Sequence, residues 1–341
     1  MIKNLFKILA LIIILPSCGL QIQDGPFVVY YENGSIKVEG IYKNGFLDGK
    51  YLSYYKNGKV KHSGNYNNGQ LNGVNTYYYK NGQIKYEVVF KDGKKQGDYI
   101  FYYENGNIKI QGTYIDGKKN GDYVSFYDNG AIFVKGKYND GSPEGKYVMY
   151  NKDGWIQVEG TLYNDLDHGR KTYYNGNGSI HKEGLYQNGL QEGEWKWYYP
   201  DGKVYIIEFY KNGKKEGEST HYYENGQVSI NGYYKEGLRQ GRVNRYYENG
   251  KIYSKGSYQN GLEEGEWIYF YDNGRVKYSG LFEIGEEQKE WKWYYENGKI
   301  EIEGVYHDGQ KDDKWIYYDK NSNIKRIDTF KNGKLLMARE Y

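Results

Sequence analysis

The chain has 341 residues, a formal net charge of +3 and a single cysteine. This balance of charge argues against nucleic acid as the main partner, because nucleic-acid binding usually needs a basic stripe. The 47 glycines and 45 tyrosines, with only 4 prolines, exclude a disordered tail, since disordered segments avoid aromatic residues and strands favour them.

The first residues have the pattern of a secretory leader. Lys3 and Lys7 precede an apolar run over residues 9–15, which is too short to cross a bilayer. The run ends in Leu15-Pro16-Ser17-Cys18, which resembles the lipobox of bacterial lipoproteins. The resemblance implies that Cys18 is lipidated; the alternative is a signal peptide that happens to contain a cysteine.

We therefore expect a lipoprotein signal peptide over residues 1–17, a lipid-anchored tether over 18–26 and a repeat domain over 27–341. The expected location is the cell envelope, at the outer membrane if the host has one, because Gly19 rather than an aspartate follows the cysteine. No cysteine follows Cys18, so the sequence excludes intramolecular disulfides and thiolate metal sites.

The rest of the chain is a repeat of 24 residues. Its first glycine series is Gly34, Gly58, Gly82, Gly106, Gly130, Gly154, Gly178, Gly202, Gly226, Gly250, Gly274 and Gly298, with Ser322 in the next place. A second series keeps the same step from Gly45 to Gly141, is interrupted by Asp165, and resumes from Gly189 to Gly333. Each repeat therefore contains two turns.

The segments between these turns alternate in character. If the first glycine is position 0, position +2 is always Ile or Val, position −4 is Tyr or Phe, and position +8 is aromatic except at Leu162. Alternation between turn signals predicts β-strands. The predicted fold is all-β: an elongated single-layer antiparallel meander of stacked β-hairpins, with about 12–13 repeats. About 25 strands at ~4.8 Å would make a twisted ribbon ~120 Å long.

One repeat indicates the type of the first turn. It has the sequence Tyr199-Pro200-Asp201-Gly202, in which Pro suits the second position of a type I turn and Gly the left-handed position after it. This predicts a three-residue hairpin loop closed by a glycine bulge. A two-residue loop would place Pro200 in the strand, where its missing N–H is costly. The three-residue loop sets position −4 opposite position +2, an aromatic against a β-branched side chain.

Unbroken alternation from this register places even positions on one face and odd positions on the other. All seven tryptophans are at odd positions, namely Trp155, Trp195, Trp197, Trp267, Trp291, Trp293 and Trp315. Exposed indoles are costly unless they pack on one another or meet a partner. We predict that the six tryptophans after residue 190 project to one side of the sheet and form the main recognition surface; the alternative is that they cover the sheet and hold it together.

The string "YYENGKIEIEGVYHDGQKDDKW", beginning at Tyr294, and its counterparts at Tyr30 and Tyr246 resemble the MORN-repeat variant family over essentially all of residues 27–341. Many bacterial members carry an antitoxin-type label. The resemblance implies an elongated sheet of hairpins used for binding or scaffolding. Departures are Asn151 and Asn175 in a usual tyrosine position, and Lys289 and Asp313 in a usual glycine position.

Catalytic motifs are absent from the sequence. The five histidines occupy five different repeat positions, and no HExxH, GxSxG, P-loop or dinucleotide motif occurs. Recurrent carboxylates such as Glu248 and Asp272 are more simply explained as solvated turn residues. We expect no enzyme activity, no cofactor and no metal.

Three kinds of ligand remain open. The mixture of Tyr, Trp, Lys and Glu resembles a protein interface, so we place a protein partner first, which includes an antitoxin-like or immunity-like role. A glycan, cell-wall polymer or lipid headgroup is the alternative, because "WKWYYENGKI" at Trp291 looks like hairpin cell-wall-binding and choline-binding repeats. The membrane contact is expected through Cys18.

Overall fold

The computed structural model describes residues 23–341, so the predicted signal peptide and Cys18 lie outside the described residues. These residues contain 31 β-strands, and none of their segments is a helix long and apolar enough to cross a membrane. They divide into two compact units. The first extends to Ala131 and includes Tyr138–Gly141, and the second comprises Ile132–Lys137 and Ser142–Tyr341.

The strands are numbered in chain order. In the first unit they are β1 Gly25–Tyr30, β2 Ile36–Lys43, β3 Phe46–Leu47, β4 Gly49–Tyr54, β5 Val60–Asn67, β6 Gln70–Tyr78, β7 Ile84–Lys91, β8 Lys94–Tyr102, β9 Ile108–Ile115 and β10 Lys118–Phe126. Strand β11, Ile132–Asn139, lies mostly in the second unit. The others are β12 Ser142–Pro143, β13 Gly145–Tyr150, β14 Ile156–Tyr163, β15 Leu166–Asp167, β16 Gly169–Tyr174, β17 Ile180–Gln187, β18 Leu190–Tyr198, β19 Val204–Lys211, β20 Lys214–Tyr222, β21 Val228–Lys235, β22 Leu238–Arg239, β23 Gly241–Tyr246, β24 Ile252–Gln259, β25 Leu262–Phe270, β26 Val276–Glu283, β27 Glu286–Tyr294, β28 Ile300–His307, β29 Gln310–Tyr318, β30 Ile324–Lys331 and β31 Lys334–Glu340.

Each unit is a meander of antiparallel hairpins in a single layer, as predicted. In the second unit, for example, β18 pairs with β17 on one side and with β19 on the other, both antiparallel. The predicted fold class is therefore confirmed. The first strand begins at Gly25, inside the stretch expected to be the tether.

The first turn of each repeat is the predicted three-residue loop. At Tyr199 the backbone N–H donates to Lys203 O (2.8 Å), and the N–H of Gly202 donates to Tyr199 O (2.9 Å). Gly202 has φ +87°, the left-handed region that the bulge requires. The facing of positions −4 and +2 is also confirmed, for example by the pair Tyr246 and Ile252.

The second turn is a two-residue type I′ turn, which needs positive φ at both central residues. Asn188 and Gly189 have φ of 51° and 78°, and Gln187 pairs with Leu190 across them. Asp165, where the glycine series is interrupted, keeps the turn with φ 63°. At the same turn of a later repeat, Ile284 has φ 53°, which is unusual for a β-branched residue.

The expected sorting of side chains into even and odd faces is wrong beyond position +3. Tyr198 pairs with Val204, but Trp197 pairs with Ile206, so one extra residue, Tyr205, lies on the second strand. This bulge inverts the alternation, and positions +4, +6 and +8 join the face that carries the odd positions −7 and −5. A bulge of this kind changes which side chains share a face.

Candidate binding face

One face of the sheet concentrates the aromatic rings. We call it the ring face and define it by positions −7, −5, +4, +6 and +8. In the repeat around Gly274 these are Trp267, Tyr269, Tyr278, Gly280 and Phe282. The opposite side, the back face, carries positions −8, −6, −4, +5, +7, +9 and +12.

Position −7 on the ring face is structural rather than exposed. Trp195, Trp267, Trp291 and Trp315 are only 0–3% exposed. Each indole lies over a glycine at position +6 of the preceding strand. These glycines are Gly184, Gly256, Gly280 and Gly304. A Cβ on any of them would overlap the indole. These four tryptophans therefore pack on the sheet, because the bulge brings the glycine row under them.

Polar and aromatic contacts fix each buried indole. Trp267 Nε1 donates to Ser257 O (3.2 Å), and Trp195 Nε1 donates to Leu185 O (3.1 Å). The residue at position +8 meets the indole edge to face: the Tyr258–Trp267 ring centroids are 5.3 Å apart at 86°. This is a favourable geometry for aromatic pairs. The same arrangement recurs at Trp291 and Trp315.

The other tryptophans differ in exposure. Trp197 and Trp293, at position −5, are half-buried and lie on the ring face beside the buried indoles. Trp155, which was not among the six candidates, is 55% exposed in a first turn. Whether any of the six contacts a partner stays a prediction. Position +1, where Trp155 lies, holds mostly small, polar or charged residues, and this was the signal that could have separated it from the rest.

Rings at positions −5 and +4 stack in continuous rows. In the first unit His62, Tyr77, Tyr86 and Phe101 follow one another with centroid distances of 4.1, 4.2 and 5.0 Å and interplanar angles of 13–21°. In the second unit Tyr269 stacks on Tyr278 at 4.2 Å. Since stacked rings cover each other's faces, such rows present ring edges to solvent.

Burial changes the titration of these rows. It raises the pKa of Tyr77 to about 12, with the neighbouring Tyr86 hydroxyl adding to the effect. It also raises the pKa of Tyr278 to about 12. Burial lowers the pKa of His62, whose Nε2 lies 2.9 Å from Asn75 Oδ1. Burial therefore keeps these tyrosine hydroxyls protonated to higher pH than usual.

Cations border the ring face next to the type I′ turns. Lys311 Nζ lies 4.0 Å from the centroid of the Trp315 ring, and Lys215 Nζ lies 5.0 Å from that of Tyr234. Arg239 lies over Tyr234 and Tyr258. A cation over an aromatic face is attracted by the ring quadrupole. Burial lowers the pKa of Lys311, which shows that its ammonium group is partly desolvated.

Glu208 replaces the glycine at position +6 in one repeat. It is buried, and its Oε1 lies 2.6 Å from Lys215 Nζ and 3.6 Å from His221 Nε2. Burial opposes its charge, but His221, Lys215 and the Tyr210 hydroxyl outweigh burial and lower its pKa to about 2. On the following strand its paired residue is Ser219 instead of a ring, which leaves room for the carboxylate.

A ladder of tyrosine hydroxyls joins the first turns of successive repeats. Tyr223 OH donates to Tyr246 O (2.7 Å), and Tyr247 OH donates to Phe270 O (2.7 Å), always 23 residues ahead. Asn151 and Asn175 interrupt this ladder, because their shorter side chains bond within their own turns. These two asparagines therefore replace a hydrogen bond between successive turns with hydrogen bonds inside one turn.

Within residues 23–341, no three His, Cys, Asp or Glu side chains lie close enough to hold a metal ion. The features that repeat are rings, hydroxyls and cations on a sheet face. Such an arrangement can bind a surface or a polymer through many weak contacts.

Comparison with known proteins gives a family. The sequence model of the family described as MORN repeat variant matches residues 23–44, 47–68, 71–92, 95–116, 191–212, 215–236, 239–260, 263–283 and 287–308. No curated protein matches the chain. Among solved structures, it is similar to the TcdB2-TccC3-Cdc42 crystal structure, at 11% identity and a TM-score of 0.18, covering 90% of this chain and 17% of that one.

A structure of the Photorhabdus luminescens Tc holotoxin pore is similar at 12% identity and a TM-score of 0.16, covering 92% of this chain and 18% of that one. The chain thus spans less than a fifth of either structure, and likenesses with such TM-scores support no argument about function. The family match covers more than half of the sequence, in nine separate repeats. The chain belongs to the MORN repeat variant family.

Proposed function

We propose that the chain is a non-catalytic repeat scaffold that binds a protein partner through the ring face, held in the bacterial cell envelope by a lipidated Cys18. The observation that supports binding is the ring face itself, where half-buried aromatic rings recur over many repeats and charged side chains of both signs border them. Tyr, Trp and Arg are the residues most enriched at binding hot spots.

The border of the ring face carries both signs of charge, which favours a protein surface of mixed charge. Lys311 and Arg239 place positive charge there, Glu263 and Glu287 place carboxylates at the same position of other repeats, and Lys215 is paired with Glu208. Charged groups of both signs on a partner would find opposite charges along this border. A toxin with such a surface would make the chain antitoxin-like.

The glycan alternative is less well supported at the ring face. Sugars stack on exposed ring faces, and the stacked rows at Tyr77–Tyr86 and Tyr269–Tyr278 cover theirs. One observation favours it elsewhere: the indole of Trp155 is exposed in a turn. A glycan site would therefore be a single ring at a turn rather than the ring face.

Affinity purification of the full chain from its native cells tests the proposal. The variant Trp197→Ser with Trp293→Ser alters the ring face, and Lys196→Ser with Lys292→Ser alters the back face of the same two strands. We expect the tryptophan variant to lose the partner and the lysine variant to retain it. Recovery of the same partner by both variants would contradict binding at the ring face.

A second readout covers the case in which the tryptophan variant unfolds. Cross-linking mass spectrometry on the wild-type complex should then find cross-links from Lys215 or Lys311 on the ring face. Cross-links confined to Lys196 and Lys292 on the back face would reject the proposal. Both readouts use the intact chain.

A further inference from the structure

Tyr99 buries a hydroxyl group on the ring face of the first unit. The residue is 1% exposed, and among residues 23–341 no protein group forms a hydrogen bond with its hydroxyl. The ring lies across the neighbouring strand, and its hydroxyl oxygen is 2.8 Å from where a Cβ on Gly112 would lie. A buried donor without an acceptor costs free energy, so this hydroxyl needs an explanation.

Two lysines lie beside this tyrosine. Tyr99 and Lys95 are on β8, Tyr114 is on β9 and Lys119 is on β10. Lys119 Nζ lies 5.5 Å from the centroid of the Tyr99 ring and 4.8 Å from that of Tyr138. Lys95 Nζ lies 5.0 Å from the centroid of Tyr114, whose ring is 4.7 Å from that of Tyr99. Within the described part of the chain, neither ammonium group forms a salt bridge with a carboxylate.

An equivalent tyrosine two repeats later shows which group satisfies a hydroxyl at this position. Tyr147 donates its hydroxyl to Asp167 Oδ1 (2.9 Å), and Lys171 Nζ lies 2.7 Å from Asp167 Oδ2. The residue that occupies the place of Asp167 beside Tyr99 is Lys119. The sheet therefore accommodates a carboxylate between a tyrosine hydroxyl and an ammonium group, and at Tyr99 the chain supplies the cation without the carboxylate.

We propose that Tyr99, Lys95 and Lys119 form a binding site for one carboxylate group supplied from outside the chain. The carboxylate accepts from the Tyr99 hydroxyl, as Asp167 accepts from Tyr147, and the two ammonium groups balance its charge. Rotation of the half-buried Lys119 side chain away from the ring admits the ligand.

The protonation of Tyr99 suits this role. Burial raises the pKa of its hydroxyl, and the neighbouring Tyr138 and Tyr114 add to the effect. The hydroxyl therefore keeps the proton that it donates. A hydrogen bond from a neutral donor to a charged acceptor is stronger than one between neutral groups.

The carboxylate has two sources. It belongs either to a small organic acid or to an aspartate or glutamate side chain of a protein. The second source rests on the function proposed above, because the site lies on the ring face that we assign to a protein partner. The first source does not depend on that partner.

Fluorine NMR of fluoroacetate with the full chain in detergent tests the site. The wild type should broaden the fluorine signal, and Lys95→Gln with Lys119→Gln should raise the dissociation constant at least about tenfold, because both balancing charges are lost. Lys94→Gln with Lys118→Gln is the matched control, which removes the same charge from the same two strands on the back face. It should bind like the wild type. Absence of binding by the wild type, or equal weakening in both variants, would overturn the proposal.

Tyr99→Phe separates a binding role from a structural one. Removal of an unpartnered buried hydroxyl should raise the urea midpoint of the free protein, and the same change should weaken fluoroacetate binding at least about tenfold. A lower midpoint for the variant would mean that the hydroxyl is already bonded in the free protein, for example to water. That result would overturn the proposal.

Competition against fluoroacetate identifies the source of the carboxylate. Displacement by a blocked glycine peptide with one central glutamate, at a concentration at least about tenfold below that of acetate, would assign the site to a protein side chain. Equal potency of the two would assign it to a small organic acid. Stronger displacement by inorganic phosphate than by either would reject a carboxylate ligand. These measurements need no partner, so their failure is separate from loss of the protein partner in affinity purification.

Discussion

Gly256→Ala should destabilise the sheet far more than the same change one repeat earlier. An added Cβ at Gly256 would overlap the indole of Trp267, which is 0% exposed and donates Nε1 to Ser257 O. The indole must shift. Overpacking of a filled site costs about 1–3 kcal/mol, and a weakened hydrogen bond adds about 1 kcal/mol. We therefore expect a loss of about 2–4 kcal/mol.

Gly232→Ala is the matched control. Gly232 occupies the same position +6, but its partner is Val243, whose Cγ2 would lie 3.5 Å from the new Cβ, an ordinary van der Waals contact. Neither glycine has a positive φ, so backbone strain does not distinguish the two. Since alanine loses less backbone entropy than glycine in a strand, Gly232→Ala should be neutral or stabilising by up to about 1 kcal/mol.

Urea unfolding followed by far-UV circular dichroism measures the difference. Adding Trp267→Val to Gly256→Ala recreates the Ala–Val pair of the Gly232→Ala variant, so the double variant should lose less than the sum of its two single changes. Equal midpoints for Gly256→Ala and Gly232→Ala would refute the placement of the indole over the glycine. That result would also refute the inverted alternation beyond position +3.

Four further changes test other parts of the structure. Ile284→Asn should stabilise the chain by about 1 kcal/mol, because β-branched residues are strained in the left-handed region; a lower urea midpoint would contradict this. Glu208→Gln should lower the free energy of unfolding at neutral pH. The wild type should lose stability as pH falls from 4.5 towards 2, because the folded-state pKa of Glu208 is lowered to about 2, and the variant should not show this loss. Identical pH profiles for the two proteins in thermal melts would count against it. Tyr223→Phe should cost about 1 kcal/mol and speed amide hydrogen exchange mainly near residues 223–250, whereas a uniform change along the chain would not fit a nearest-neighbour array. Cys18→Ala should abolish labelling by a fatty-acid analogue in cells, and equal labelling of both proteins would refute lipidation.

Local turn chemistry was predictable because it depends on residues close in sequence. Pro200 and Gly202 specify the three-residue loop, and the loop then sets Tyr246 opposite Ile252. The fold class follows from the fixed step between glycines. The type I′ conformation at Asp165 keeps the repeat intact where the glycine is missing.

The faces were not predictable from alternation, because a bulge leaves no clear mark in the sequence. The extra residue at Tyr205 moves positions +4 to +8 onto the other face, and the glycine row then lies under Trp195 and Trp267. A pattern of large residues opposite small ones was available in the sequence as a hint. It becomes informative only when the register is known.

The buried and the half-buried tryptophans of the ring face differ in how easily water reaches them. Hydroxyl-radical footprinting with mass spectrometry measures this directly, before and after addition of the purified partner. Trp155 should react fastest, Trp197 and Trp293 should react at intermediate rates and become protected by the partner, and Trp195, Trp267, Trp291 and Trp315 should stay protected throughout. Reaction of the last four at the rate of Trp155 would contradict the burial of these indoles over the glycine row.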